Sequence, residues 1–123
     1  MRNRIIEYLE LAASYEAQLA YEKAVPFVQV PYEVINQWED LVPSPPQQIV
    51  DDRAVFSSLE LQAIEEFRPI WKAAACAVGD DYPPLSDVQA LPEWDSLRQQ
   101  AEVGLRVFQL RGKLPEDEEA LDA

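Results

Sequence analysis

Three long stretches of this chain repeat apolar residues at every third or fourth position, which commits them to helices that must be buried along one side. The first runs from Arg4 to about Val25 and carries Ile5, Tyr8, Leu9, Ala12, Tyr15 and Leu19 inward. Glu7, Glu10, Ser14, Gln18 and Glu22 fill its other side, and Pro26 ends it, because a proline pushes the residue before it out of helical geometry. The second covers about Ser58 to Val78, with Leu61, Ile64, Phe67, Trp71, Ala75 and Val78 in one line. Ser57 followed by Glu60, flanked by Phe56 and Leu61, forms a capping box with a hydrophobic staple, and Gly79 supplies the left-handed C-terminal residue. Pro69 inside this helix removes the hydrogen bond to Glu65, so a kink or a break into two helices is expected. The third starts at Pro92 and turns Trp94, Leu97, Ala101, Leu105 and Phe108 inward, with Val107 and Leu110 widening the face.

Shorter pieces join them. Residues 27–30 read as an extended connector, and a helix from Pro31 carries Val34, Ile35, Trp38, Leu41 and Val42 until Pro43 stops it. The Pro43 to Gln48 cluster reads as a spacer, its lone PxxP being weak evidence of recognition by an aromatic groove. Asp80 to Pro84 is a loop, and Ser86 with Gln89 repeats the capping-box spacing before a single helical turn. Arg98 and Glu102, then Glu102 and Arg106, have ion-pair spacing. Gly104 in mid-helix costs about 1 kcal/mol relative to alanine, which predicts a close crossing with another helix.

Together these elements predict an all-α protein, a compact bundle of four or five helices with a Pro-kinked third helix. One domain spans residues 1–114 of the 123, followed by an acidic, frayed C-terminal tail at 115–123. The 48% hydrophobic content separates the chain from acidic disordered proteins.

Catalytic chemistry is sparsely supplied. The chain has no histidine, which excludes a Ser-His-Asp triad, a histidine general base and histidine metal sites. Its one cysteine, Cys76, builds neither a thiolate zinc site nor a redox pair and reads as a small buried hydrophobe, so a reducing, cytoplasmic location is the expectation. Three glycines leave no phosphate-cradling loop. Asp51-Asp52 and Asp80-Asp81 lack calcium-loop spacing. No cofactor, no metal and no enzymatic activity are expected. Glu7, Glu10 and Glu16 interrupt the N-terminal apolar residues, against a signal peptide, and no run approaches the roughly 20 residues of a membrane span.

What remains is charge. Ten basic against 23 acidic residues give a net charge of −13. Without the five acids of residues 115–123 the balance is still 18 to 10, or −8, so the folded part is acidic in its own right. No base occurs between Lys23 and Arg53, nor between Lys72 and Arg98. Those gaps hold Glu33, Glu39, Asp40, Asp51 and Asp52, then Asp80, Asp81, Asp87, Glu93 and Asp95, with Tyr82 as an aromatic neighbour. They form the expected partner-binding surface, although each acid taken singly reads as solubilising. An acidic domain without a basic stripe repels nucleic acid and attracts a basic protein. The sequence therefore predicts a small inhibitory binding protein, of the bacterial immunity-protein, antitoxin or phage-antagonist kind, that occludes the basic cleft of a toxin or nucleic-acid enzyme such as a nuclease. The alternative is a helical structural or regulatory adaptor that binds through an apolar groove or self-associates as a homodimer.

Overall fold

A computed structural model describes residues 2–41, 56–81 and 83–113. The Pro43 to Gln48 cluster, Val42, Asp51, Asp52, Tyr82 and the acidic tail lie outside the described residues. Those that are described form six helices and no strand: α1 (Arg2–Ala12), α2 (Tyr15–Ala24), α3 (Val30–Leu41), α4 (Ser58–Val78), α5 (Leu85–Val88) and α6 (Pro92–Gln109). None of them is long and apolar enough to cross a membrane.

The expected single N-terminal helix is two helices. Ser14 caps α2, its hydroxyl accepting from the Ala17 amide at 3.0 Å, because serine in mid-helix competes with the backbone and is better used at a cap. The break changes which side chains face inward. Leu19, placed in the core by the uninterrupted period, is 42% exposed, and Gln18 is wholly buried in its stead. Gln18 Nε2 donates to the Leu11 carbonyl at 3.1 Å and the Ala12 carbonyl at 3.3 Å where α1 ends, the first of which also accepts from the Ser14 amide at 3.3 Å. Its Oε1 accepts from Trp94 Nε1 and from Gln89 Nε2, both at 3.1 Å. Gln89 is thus engaged in this polar knot. Ser86 caps nothing, and α5 begins after Pro84 without a side-chain cap.

The capping box of α4 is present in both directions, Ser57 Oγ accepting from the Glu60 amide at 3.2 Å and Glu60 Oε1 accepting from the Ser57 amide at 3.0 Å. The helix runs unbroken through Pro69. Pro69 and Glu65 are both exposed, so the proline ring lies on the solvent side of the helix, and no second helix starts there. Gly79 closes α4 with the expected positive φ of +68°, but its ψ of −158° lies outside the left-handed helical well, in a region open essentially to glycine alone. Its inward line is Ala63, Ile64, Phe67, Ala74 and Val78, with Leu61, Trp71 and Ala75 only partly buried.

The core lies between α1, α3, α4 and α6. Trp38 meets Phe67 with ring centroids 4.5 Å apart, and Tyr8 packs edge-on to Phe67 at 6.1 Å. Phe108 of α6 takes Phe56 edge-on at 6.3 Å. Gly104 lies where α6 crosses α1, and a methyl group there would sit 3.6 Å from Leu9, so the expected close approach is present. Leu110 lies past the end of α6, is 73% exposed and does not widen the inward face. Arg98 spans Asp95 at 2.9 Å and Glu102 at 3.0 Å along the helix surface.

The turn from α2 to α3 holds the only positive-φ residue other than glycine among those described. Phe27 sits at φ +68° with its side chain fully exposed. A left-handed backbone costs a bulky residue about 1 to 2 kcal/mol, and nothing in the core compensates. Phe27→Gly is therefore expected to raise stability by about 1 kcal/mol in urea unfolding. A loss of stability would show that the ring carries a contact.

Candidate functional site

Helices α3 and α4 pack antiparallel and leave a groove between them. Tyr32 Oη donates to Asp80 Oδ1 at 3.4 Å near one end, and Trp71 Nε1 donates to the Ile35 carbonyl at 2.9 Å further along, so rising numbers on α3 meet falling numbers on α4. The reason for the concavity is local. The run Ala73-Ala74-Ala75-Cys76-Ala77 strips side-chain volume from this part of α4, while Val34 and Trp38 of α3 turn into the core. The groove encloses about 570 Å³, with Trp38, Trp71, Ala75 and Cys76 among its lining residues. A side hollow of about 140 Å³ shares Ala75, Gly79 and Asp80 and adds Tyr32, Ile35 and Val78. Cys76 is exposed here and is not the buried hydrophobe expected from its alanine-rich surroundings.

The acids of the two base-free segments divide among several sites. Glu39 and Asp80, one from each segment, both line the groove. Asp81 is exposed next in chain. Asp40 lines a different hollow, with Arg4, Glu7, Tyr8 and Gln37. Glu33 accepts from Gln37 Nε2 at 3.2 Å, and its charge adds to burial in raising the Tyr21 pKa. Asp87 stands exposed on α5, and Glu93 is half-buried in the first turn of α6. Asp95 is occupied within its own helix, accepting from both Arg98 and Gln99. Arg98 is the main reason its carboxyl titrates below the usual carboxylate range.

Three residues of the groove wall escaped sequence reasoning: Arg68, Lys72 and Trp71. Arg68 Nε and Nη2 and Trp38 Nε1 are buried donors without a hydrogen-bond partner among the described residues. The alanine run was the available signal, since five small residues in a row on an amphipathic helix mark a place where something else approaches. Among the described residues no three metal-ligating side chains gather to hold an ion.

Compared with known proteins, the chain matches no family model, no curated protein and no solved structure.

Proposed function

We propose that this chain is a non-catalytic, acidic binding protein that antagonises a basic protein partner, docking along the groove between α3 and α4. The observation that carries this reading is the meeting of Glu39 and Asp80, from separate base-free segments, on one concave surface that also presents Trp71, Ala75 and Cys76. An aromatic floor supplies the desolvated contact area that holds a complex together, and carboxylates at the rim attract a cationic surface before contact. A partner of the toxin or nuclease type, whose cleft is basic because it receives phosphates, has the complementary charge. Acids standing where phosphates would sit then occlude that cleft, in the manner of an immunity protein, antitoxin or phage antagonist acting in the cytoplasm. Neutral helical adaptors offer the second reading, favoured by one observation: Arg68 and Lys72 share the groove with the two acids, so its floor could act without net charge.

Salt separates the two. The immobilised chain is used to capture its partner from extract, and association is then measured at rising ionic strength. Steering predicts an association rate that falls steeply with salt. The double variant Glu39→Lys/Asp80→Lys is expected to lower that rate by about tenfold or more with its melting curve unchanged, because exposed charge changes seldom disturb a fold. A salt-independent rate that the variant leaves intact would transfer the assignment to the apolar-groove adaptor.

A further inference from the structure

Two residues that line the groove carry buried donors without a hydrogen-bond acceptor among the described residues. Arg68 lines it from α4, and its Nε and Nη2 are shielded from water without either making a hydrogen bond. Its ionic neighbour one turn earlier, Glu65, approaches Nη2 only to 3.5 Å and is itself half exposed. Trp38 lines the same groove from α3, is 2% exposed, and its Nε1 also has no acceptor among the described residues. The other two indoles are engaged, Trp71 by the Ile35 carbonyl and Trp94 by Gln18. Native proteins leave few buried polar groups unpaired, and three of the five such atoms among the described residues belong to two residues, from two helices, that line one groove.

Their type narrows what would satisfy them. Nε and Nη2 form the side-on edge of a guanidinium, two parallel N–H groups whose spacing matches the two oxygens of a carboxylate. Lys72, one turn further along α4, adds a second cation to the same wall. We infer that this end of the groove is a carboxylate seat, filled on docking by an acidic side chain or chain terminus of the partner polypeptide. Arg68 grips its two oxygens and Trp38 Nε1 donates a third hydrogen bond. Docking requires the guanidinium, whose fork is shielded in the free chain, to turn about its side-chain torsions toward the groove and to exchange its 3.5 Å approach to Glu65 for the incoming carboxylate.

This inference rests on the groove being the docking surface and adds a local requirement to it. Arg68 and the end of α4 at Val78 are about 15 Å apart, a distance that about five extended residues span. One short segment therefore places a carboxylate on Arg68 and a cation by Asp80. Glu65 stands as the ion-pair neighbour of Arg68 and Glu39 lines the same groove, so an incoming carboxylate competes with these two acids, whereas acids beyond about 8 Å are largely screened at physiological salt.

The test uses 3-phenylpropionate and 3-phenylpropionamide, which share a shape and differ in the carboxylate. Each is titrated into the nitrogen-15-labelled full chain while the three indole N–H resonances are followed, with tryptophan-to-phenylalanine variants as assignments. The expected result is a saturable shift of the Trp38 indole, an unmoved Trp94 indole, and binding of the acid about tenfold or more tighter than the amide, as charge-assisted hydrogen bonds require. Arg68→Gln should reduce the acid to the level of the amide. Arg68→Lys, which keeps the charge and loses the fork, should also bind more weakly than wild type and serves if the glutamine variant does not fold. Glu39→Lys/Asp80→Lys should retain the preference for the acid, so failure of the basic-partner reading is distinguishable from failure of the seat. Equal binding of acid and amide, no saturable Trp38 shift with either, or undiminished acid binding in the Arg68 variants would overturn it.

Discussion

Glu60→Ala is expected to lower the free energy of unfolding by about 3 to 5 kcal/mol, a large share of the 5 to 15 kcal/mol of a typical domain. The carboxylate is 1% exposed and serves three elements at once. Arg2 at the start of α1 grips it from Nε at 3.2 Å and Nη2 at 2.9 Å. Arg111, just past α6, grips it again at 3.1 and 2.7 Å, and the Ser57 amide completes the set. Arg2 also donates to the carbonyls of Phe108 and Gly112, so removing Glu60 leaves a wholly buried guanidinium without its counter-ion. Urea unfolding measures the loss. A change below about 1 kcal/mol would mean that the cluster is no more than a surface ion pair in effect.

The same group predicts an acid limb. Burial pushes the Glu60 carboxyl up, but the hydrogen bonds from Arg111 and Arg2 outweigh it and hold the group at about 2, below its ordinary 4.5. Its stabilisation is therefore complete above pH 4.5 and lost as pH falls from there toward 2. Glu60→Gln, which carries no such titration, should show a flatter pH dependence over that window.

Phe67→Ala is expected to cost about 3 to 5 kcal/mol through lost transfer free energy and the cavity left behind. Phe67 is 1% exposed and lies where α1, α3 and α4 meet, touching both Tyr8 and Trp38 ring to ring. The unfolding midpoint in urea should fall with little change in slope. An unchanged midpoint would place the core elsewhere.

Those two residues illustrate what local pattern reveals and what it hides. Phe67 sits on a regular stripe, and period alone assigns it inward. The cap made by Ser57 and Glu60 is equally local and equally legible. The second role of Glu60 is not, because its arginines stand 58 and 51 residues away in the chain. Gln18 and Leu19 exchange places because one serine cap breaks a period that otherwise reads as continuous, and phase does not carry across a break. The same limit applies to the groove. Net charge and the base-free segments mark Glu39 and Asp80, yet only the antiparallel packing of α3 on α4 brings them to one surface and sets Arg68, Lys72 and the unpaired Trp38 indole beside them.

Hydrogen exchange on the full chain, alone and with its captured partner, addresses the groove assignment most directly. Docking along α3 and α4 predicts slowed exchange across residues 32–39 and 68–80, with α2 and α6 unchanged. Slowed exchange confined to the turn at Phe27, or to α5 and the first turns of α6 around Asp87, Glu93 and Asp95, would contradict it.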